Sequence, residues 1–555
     1  MNSRYLSKHD TFLLLERVAA FLFYHKIKFS ESFFASKSMN KSLYHYIKNH
    51  IDEDGFYTEP DLPDSGDYPY LTEPGHTDAF YYTMDMPAAV DDASLLLKDL
   101  RAYLAEPLQP HRQRLYQDLK SMSMAEYCDP FISSFDADDM NVVALDLARS
   151  FFYNARHREP LKFSLILFGL YGMERLQKEE PQLWQDIVTL AHCEEFTFSF
   201  LYGCRIGNYT PQKAVWELLG CTKGWGKVFA IIDCQCADEA QRLWLLKNGP
   251  DIDVEYPPLS VKLMQATNLA QVLQQPVISF TVYKSAMAII GNYLFMLLHY
   301  PPQNVRESHN LHNIDIYPML CGLLRHAQYL AVIPEDLLDM ITIANTLWSL
   351  LEENNLYSLS PNQCHELISR CDKMVYCQDW QEQIQQRLII DGQINYQLAD
   401  FAYETEVDVW PRLFAYWQQH PLEYTLFPYL LSYEGDDRSQ RVLQLITNQL
   451  PLYAAELHAL VVPLRYLQTH PGQGEAIITA ALSSLHELLR GCACDALESW
   501  EPQQLTPAIR DALRQTIRTS TDELVKARAA ALLQGQKLDL EALMRKLKKL
   551  HARQK

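Results

Sequence analysis

The sequence predicts an all-α protein, and within that class an α-solenoid of stacked helix pairs of the HEAT or armadillo kind. Three observations point there. Apolar residues recur at helical spacing in many short segments, as in Trp410, Leu413, Phe414 and Trp417 at i, i+3, i+4 and i+7. Breaks between segments carry helix-start chemistry: Thr210-Pro211, Ser360-Pro361 and Thr506-Pro507 each pair a capping hydroxyl with Pro at the first helical position. No run of alternating strands stands out, and the best β-branched stretch, Val228 to Asp233, reads equally well as a buried helical turn.

In chain order, residues 11–29 read as an aromatic helix. An irregular stretch rich in Pro, Gly, Asp and Tyr follows over 52–86. Residues 277–300 are long enough to span a bilayer, which takes ~20 apolar residues, but Lys284 and Asn292 interrupt them. A buried helix of a soluble protein is the expectation there. Residues 301–313 read as a loop. From about residue 405 short helices alternate with breakers: 410–420 ends at Pro421, a second runs from Leu426 to Tyr433, and a third through Val442, Leu443, Leu445 and Ile446 ends at Pro451. Helices are then expected at 462–469, 473–484, 485–499, 507–519, 522–534 and 539–551, with Thr521 and Asp539 capping the last two. Leu540, Leu543, Leu547 and Leu550 form an apolar stripe on the final one. Tyr416 to Pro421 reappears 50 residues later as Tyr466-Leu467-Gln468-Thr469-His470-Pro471, which favours repeated helix pairs. The expected division is 1–110, 111–300 and 301–555.

Composition narrows the function classes. The 555 residues hold 49 Lys+Arg against 69 Asp+Glu, a net charge of −20, which argues against nucleic-acid binding. The excess is local: residues 52–99 carry 13 acidic residues and one basic one, Lys98, whereas residues 536–555 have a net charge of +5. Gly, at 19 of 555, falls well below the usual ~7%, leaving little material for phosphate-cradling loops. The 12 Cys lack regular spacing, and residues 1–26 carry Arg4, Lys8, Asp10, Glu16, Arg17 and Lys26 instead of an uninterrupted apolar stretch. Reduced thiols in a cytoplasmic protein are the expectation.

Four segments carry a resemblance. They are Leu161-Lys162-Phe163-Ser164-Leu165-Ile166-Leu167-Phe168-Gly169-Leu170; Lys223-Gly224-Trp225-Gly226-Lys227 with Trp244 to Gly249; Trp410 to Phe414 with His420 to Tyr424; and His470 to Gly474 with Leu497-Glu498-Ser499-Trp500. In this order they resemble a bacterial helical-repeat family of unknown function that often carries the name limonene hydroxylase. The resemblance covers roughly residues 160–500. It implies a helical-repeat fold and brings no catalytic residues with it. The family's Arg-rich turn before the last Trp is replaced here by Arg490-Gly491-Cys492-Ala493-Cys494, so an anion-binding role of that turn is not carried over.

The name can be tested against chemistry. Terpene hydroxylation needs an oxygen-activating cofactor. The glycine fingerprint of a flavin fold is absent, because Gly224-Trp225-Gly226 lacks the third small residue and the preceding strand. Walker A, H-E-x-x-H and G-x-S-x-G patterns are absent too. Cys234/Cys236, Cys492/Cys494 and the set Cys364, His365, Cys371, Cys377 lack the C-x-x-C spacing of structural zinc. His309 and His312, with Glu307, Asp315 and His299, are read as loop histidines. No cofactor and no metal are predicted.

The strongest candidate for a functional surface is the acidic and aromatic segment with Asp67, Tyr70, His76, Asp78, Tyr81, Tyr82 and Asp85. Gly224, Trp225, Gly226, Trp410 and Trp500 are assigned structural roles. The expected function is a scaffold that binds a protein or peptide, with no nucleic-acid and no membrane partner. Two alternatives stand beside it: an enzyme with a dispersed site, and a regulatory or immunity-type protein whose acidic face meets a basic partner.

Overall fold

Apolar periodicity without strand alternation yields a molecule built almost entirely of helices. The computed structural model describes residues 42–65, 73–84, 90–136, 139–299, 314–432, 437–453 and 459–536. The expected helices at 11–29 and 539–551 and the loop at 301–313 lie outside the described residues. Contacts divide the described chain into two units, 42–379 and 380–536. The expected boundaries at 110 and 300 fall inside the first. There is no break at 110, because helices Val90–Ala105 and Gln109–Lys120 pack on each other and on Met124–Ser134 and Arg158–Tyr171.

The first unit is organised around helix Arg158–Tyr171. Its run from Glu159 to Gly169 is buried on every side, the charged Glu159 and Lys162 included. Val142–Asn154 flanks it on one side and Glu194–Ile206 on another. The approach to the latter is close because both helices present glycine: a Cβ on Gly169 would lie 2.5 Å from the Gly203 carbonyl oxygen, and one on Gly203 would lie 2.7 Å from that of Leu165. Farther along, Phe280–His299 is the one described helix long and apolar enough to cross a membrane. It packs against Ile316–Leu330 and Pro334–Glu352, and Lys284, which interrupts its sequence, pairs with Asp339 at 2.9 Å.

In the second unit the expected helices are found at Trp410–Gln419, Val461–Thr469, Glu475–Leu482, Glu487–Glu498, Pro507–Thr519 and Glu523–Gln534. From Val461 onward α-helices pack on the next but one. Val461–Thr469 meets Glu475–Leu482 and Glu487–Glu498; Glu475–Leu482 meets Pro507–Thr519; and Glu487–Glu498 meets Glu523–Gln534. Trp410 and Trp500 are buried in this unit. Their indole N–H groups donate to the carbonyls of Leu430 (3.0 Å) and Leu467 (2.9 Å), and Trp410 stacks on Phe414 with centroids 4.4 Å apart.

Val228 to Asp233 takes the helical one of its two readings, within Gly224–Asp233. Two capping expectations are corrected. Thr210 does not cap: the helix starts at Gln212 behind Pro211. Asp522, not Thr521, caps the last described helix, accepting from the N–H groups of Leu524 and Val525. Ser360 and Thr506 do cap, Ser360 through a capping box with Gln363. A small hairpin pairs Ile389–Ile390 with Gln393–Ile394 across Asp391-Gly392. Both turn residues have positive φ, 51° and 76°, the conformation an Asp-Gly pair favours between two strands.

Candidate functional site

The segment singled out in the sequence is only partly a surface. Asp67, Tyr70 and Asp85 lie outside the described residues. Glu73 to Gly75 form a turn that starts helix His76–Met84, which carries Tyr81 and Tyr82. His76 is half-buried, with its ring centroid 6.1 Å from that of Trp225. The two motifs picked out separately, the His76 turn and Gly224-Trp225-Gly226, therefore meet. A Cβ on Gly224, whose φ is 48°, would lie 2.8 Å from Glu194 Oε2; one on Gly226 would lie 2.9 Å from Thr197 Oγ1. Both glycines let helix Gly224–Asp233 close on helix Glu194–Ile206. Tyr82 is also half-buried, with Arg205 donating to its hydroxyl at 3.3 Å and Phe198 5.2 Å away, centroid to centroid.

Asp78 is the main correction. Expected at a binding surface, it is fully buried. Helical spacing explains this: in His76–Met84, Asp78 and Ala79 take the inner face while Phe80 stays 41% exposed. Part of the acidic excess of residues 52–99 is thus internal, since Asp64 and Asp99 are buried as well.

Asp78 meets a charge that the sequence hides in an apolar run. The ammonium of Lys162, with no exposed surface, lies 2.9 Å from Asp78 Oδ2, 2.7 Å from Glu195 Oε1 and 3.5 Å from Glu159 Oε1. Arg158 adds a second cation, 3.5 Å from Glu195 and 2.9 Å from Asp64, which also accepts from the Arg158 backbone N–H at 2.7 Å. Four carboxylates face two cations, a formal excess of −2 out of water.

The four carboxylates do not share the cations equally. Burial pushes Asp78 up to about 6 despite Lys162, and its Oδ1 accepts no hydrogen bond among the described residues. Burial pushes Glu159 up to about 7, opposed by Lys162 and by the Met124 N–H, which donates at 2.6 Å. Glu195 goes the other way. Burial opposes its charge, but Lys162, Arg158 and the Gly75 N–H (3.0 Å) hold it down to about 2. Burial likewise opposes the Lys162 charge, and the three carboxylates around it outweigh that and hold it well above its ordinary value. Below about pH 6 the cluster approaches neutrality by binding protons, the response expected of buried carboxylates short of cations. It ties together the starts of helices His76–Met84, Arg158–Tyr171 and Glu194–Ile206, and the Asp64 turn.

Two neighbours are perturbed too. Burial pushes Glu194 up to about 7, with the Lys223 N–H opposing. Burial would lower His192, but Cys221 and Glu217 hold it up to about 10; its ring contacts the Gly55 carbonyl at 2.8 Å and Glu217 at 3.2 Å. Among the described residues no three His, Cys, Asp or Glu side chains are placed to hold a metal. Burial pushes the thiols of Cys128, Cys234, Cys371 and Cys494 up to about 12, which disfavours the thiolate.

The recessed surface lies elsewhere. A depression of about 490 Å³ in the first unit is lined by the end of helix Leu269–Gln274, by Tyr317, Gly322, Arg325 and Gln328 of helix Ile316–Leu330, and by Arg370 of helix Pro361–Val375. A second, of about 460 Å³, is lined mainly by polar residues around Trp216 and Gln235. Neither is lined by a member of the Lys162 cluster. Comparisons of the chain with family models, curated proteins and solved structures found no match.

Proposed function

We propose that the protein is a helical-repeat scaffold that binds a protein or peptide, with a binding face on helix Ile316–Leu330. The observation that carries this reading is the exposed apolar surface beside the larger depression. Tyr329 is 77% exposed and Val332 63%; they follow Arg325, which lines the depression, by four and seven residues. Val277, 79% exposed, follows by two residues the Gln275 carbonyl that Arg325 holds at 3.0 Å. Large apolar side chains left in water around a recess are a common mark of an interaction site. Packing of α-helices on the next but one from Val461 onward, and the repeated helix ends at His420 and His470, support the repeat architecture.

The perturbed carboxylates at Lys162 have a use that needs no substrate, because each is matched to a group of a neighbouring helix. The test is site-specific photo-crosslinking in extract, with a photoreactive residue at 329 or 332 and a control at Val142, which is 72% exposed. A discrete protein adduct from 329 and 332 and none from 142 is expected. Equal labelling from all three positions would overturn the reading.

A further inference from the structure

We propose that the depression between helices Ile316–Leu330 and Pro361–Val375 is a carboxylate-binding site that receives an acidic residue of the bound peptide; this rests on the binding reading above. Two guanidinium groups line it. The Arg325 Nη2 donates to the carbonyls of Leu273 (2.8 Å) and Gln275 (3.0 Å), which pins the side chain across the end of helix Leu269–Gln274. Among the described residues its Nε and Nη1 have no acceptor. The Arg370 Nη2 donates to the Cys321 carbonyl at 3.3 Å, and its Nη1 lies 3.8 Å from Glu366, beyond hydrogen-bond range. Both cations are thus held by backbone and keep donors to spare, the arrangement that favours capture of an anion without further ordering.

Charge selects the anion. Arg325 and Arg370 carry two positive charges and Glu366 one negative, which Tyr317 fixes by donating to its Oε2 at 2.8 Å. The local excess of +1 suits a monoanionic carboxylate better than a doubly charged phosphate. The floor of the recess is kept low by Gly322, where a Cβ would lie 2.8 Å from the Leu273 carbonyl oxygen. Gln274 and Gln328 add amide groups to the lining. Tyr329 stands one helical turn beyond Arg325, so an acidic residue seated in the recess places its apolar neighbours against exposed apolar surface.

The test uses the full chain and fluorescence anisotropy with three labelled peptide pools. One has a fixed central Glu between randomised apolar positions, one has Gln there, and one has neutral side chains and a free C-terminal carboxylate, compared with its amide. The Glu pool is expected to bind about tenfold tighter than the Gln pool. Preference for the free terminus with none for Glu would overturn the acidic-residue assignment in favour of a chain end. Arg325→Gln with Arg370→Gln should abolish the preference. Because that pair also loses backbone contacts, Glu366→Gln is the second variant: raising the local charge to +2, it should tighten carboxylate binding by about threefold. Equal binding of charged and neutral peptides, or binding of none, would overturn the proposal, as would no tightening in Glu366→Gln. If the adducts at 329 and 332 still form in that case, the scaffold reading stands and only the carboxylate assignment falls.

Discussion

Lys162 is the cation at the centre of the buried cluster of the first unit. It has no contact with water, and three carboxylates lie within 3.5 Å of it. Removing one partner of a buried ion group costs far more than a surface pair, because the charges left behind stay out of water. Lys162→Met is therefore expected to lower stability by about 3–5 kcal/mol at pH 8, measured by urea unfolding. The loss should shrink at pH 6, where Glu159 and Asp78 take up protons and need the ammonium less. A loss under about 1 kcal/mol at pH 8 would remove Lys162 from this role. Asp78→Asn should be mild by comparison, since it removes one charge from a cluster that already has two too many. The cluster was half legible in the sequence. A lone Lys in the apolar run from Leu161 to Leu170 demands a buried counter-ion, and Glu159 stands one turn before it. The other partners, Asp78 and Glu195, are distant in sequence, and no periodicity pairs them.

Among the elements, the crossing of helices Arg158–Tyr171 and Glu194–Ile206 sets the geometry of that cluster, because it brings Lys162 to Glu195. The crossing is closed at Gly169 and Gly203. Gly169→Ala would place a methyl 2.5 Å from a backbone oxygen that has nowhere to move, so the helices must separate. A cost of about 1–3 kcal/mol is expected from such overpacking, read by urea unfolding. The low glycine content in the sequence excluded phosphate loops but said nothing of this use, since a helical glycine shows its purpose only when the partner helix is known. The helix ends at His420 and His470 were legible, and the two are alike in detail. Each His stacks on the Tyr one turn earlier, with centroids 4.2 and 3.8 Å apart, and each has its Nδ1 near that Tyr's carbonyl, at 3.1 and 2.9 Å. The Asp391-Gly392 pair is legible as turn chemistry, but its flanking strands of two residues are too short to alternate and so leave no strand signal.

At the scale of the whole molecule, helical class followed from periodicity because each helix carries its own apolar face, whereas the division at 379/380 depends on contacts that no local pattern encodes. The charge of the chain gives the last prediction, and its sign follows from two sources. Asp78 and Glu159 are raised in the folded protein to about 6 and about 7, above their ordinary values. The folded state therefore holds protons more tightly than the unfolded one, and the stability this contributes is present at low pH and lost as pH rises through about 6–7. Glu195, held down to about 2, contributes stability that is lost only as pH falls toward 2, outside this window. Raising the pH from 6 to 8 should thus cost on the order of 2 kcal/mol through Asp78 and Glu159. The net charge of −20 acts in the same direction, because repulsion grows as the pH moves away from the isoelectric point near 5.3. Salt separates the two, since exposed charges are screened and a buried cluster is screened much less. In thermal unfolding at pH 6 and pH 8, part of the pH effect is expected to survive 0.5 M salt, a roughly 4 Å screening length, in the wild-type chain. It should shrink in Asp78→Asn/Glu159→Gln, which can no longer bind those protons, and what remains belongs to Glu194 and His192, raised to about 7 and about 10. A pH effect that salt abolishes entirely in the wild type would mean that surface repulsion alone produces it and that the carboxylates at Lys162 are ionised in the folded state.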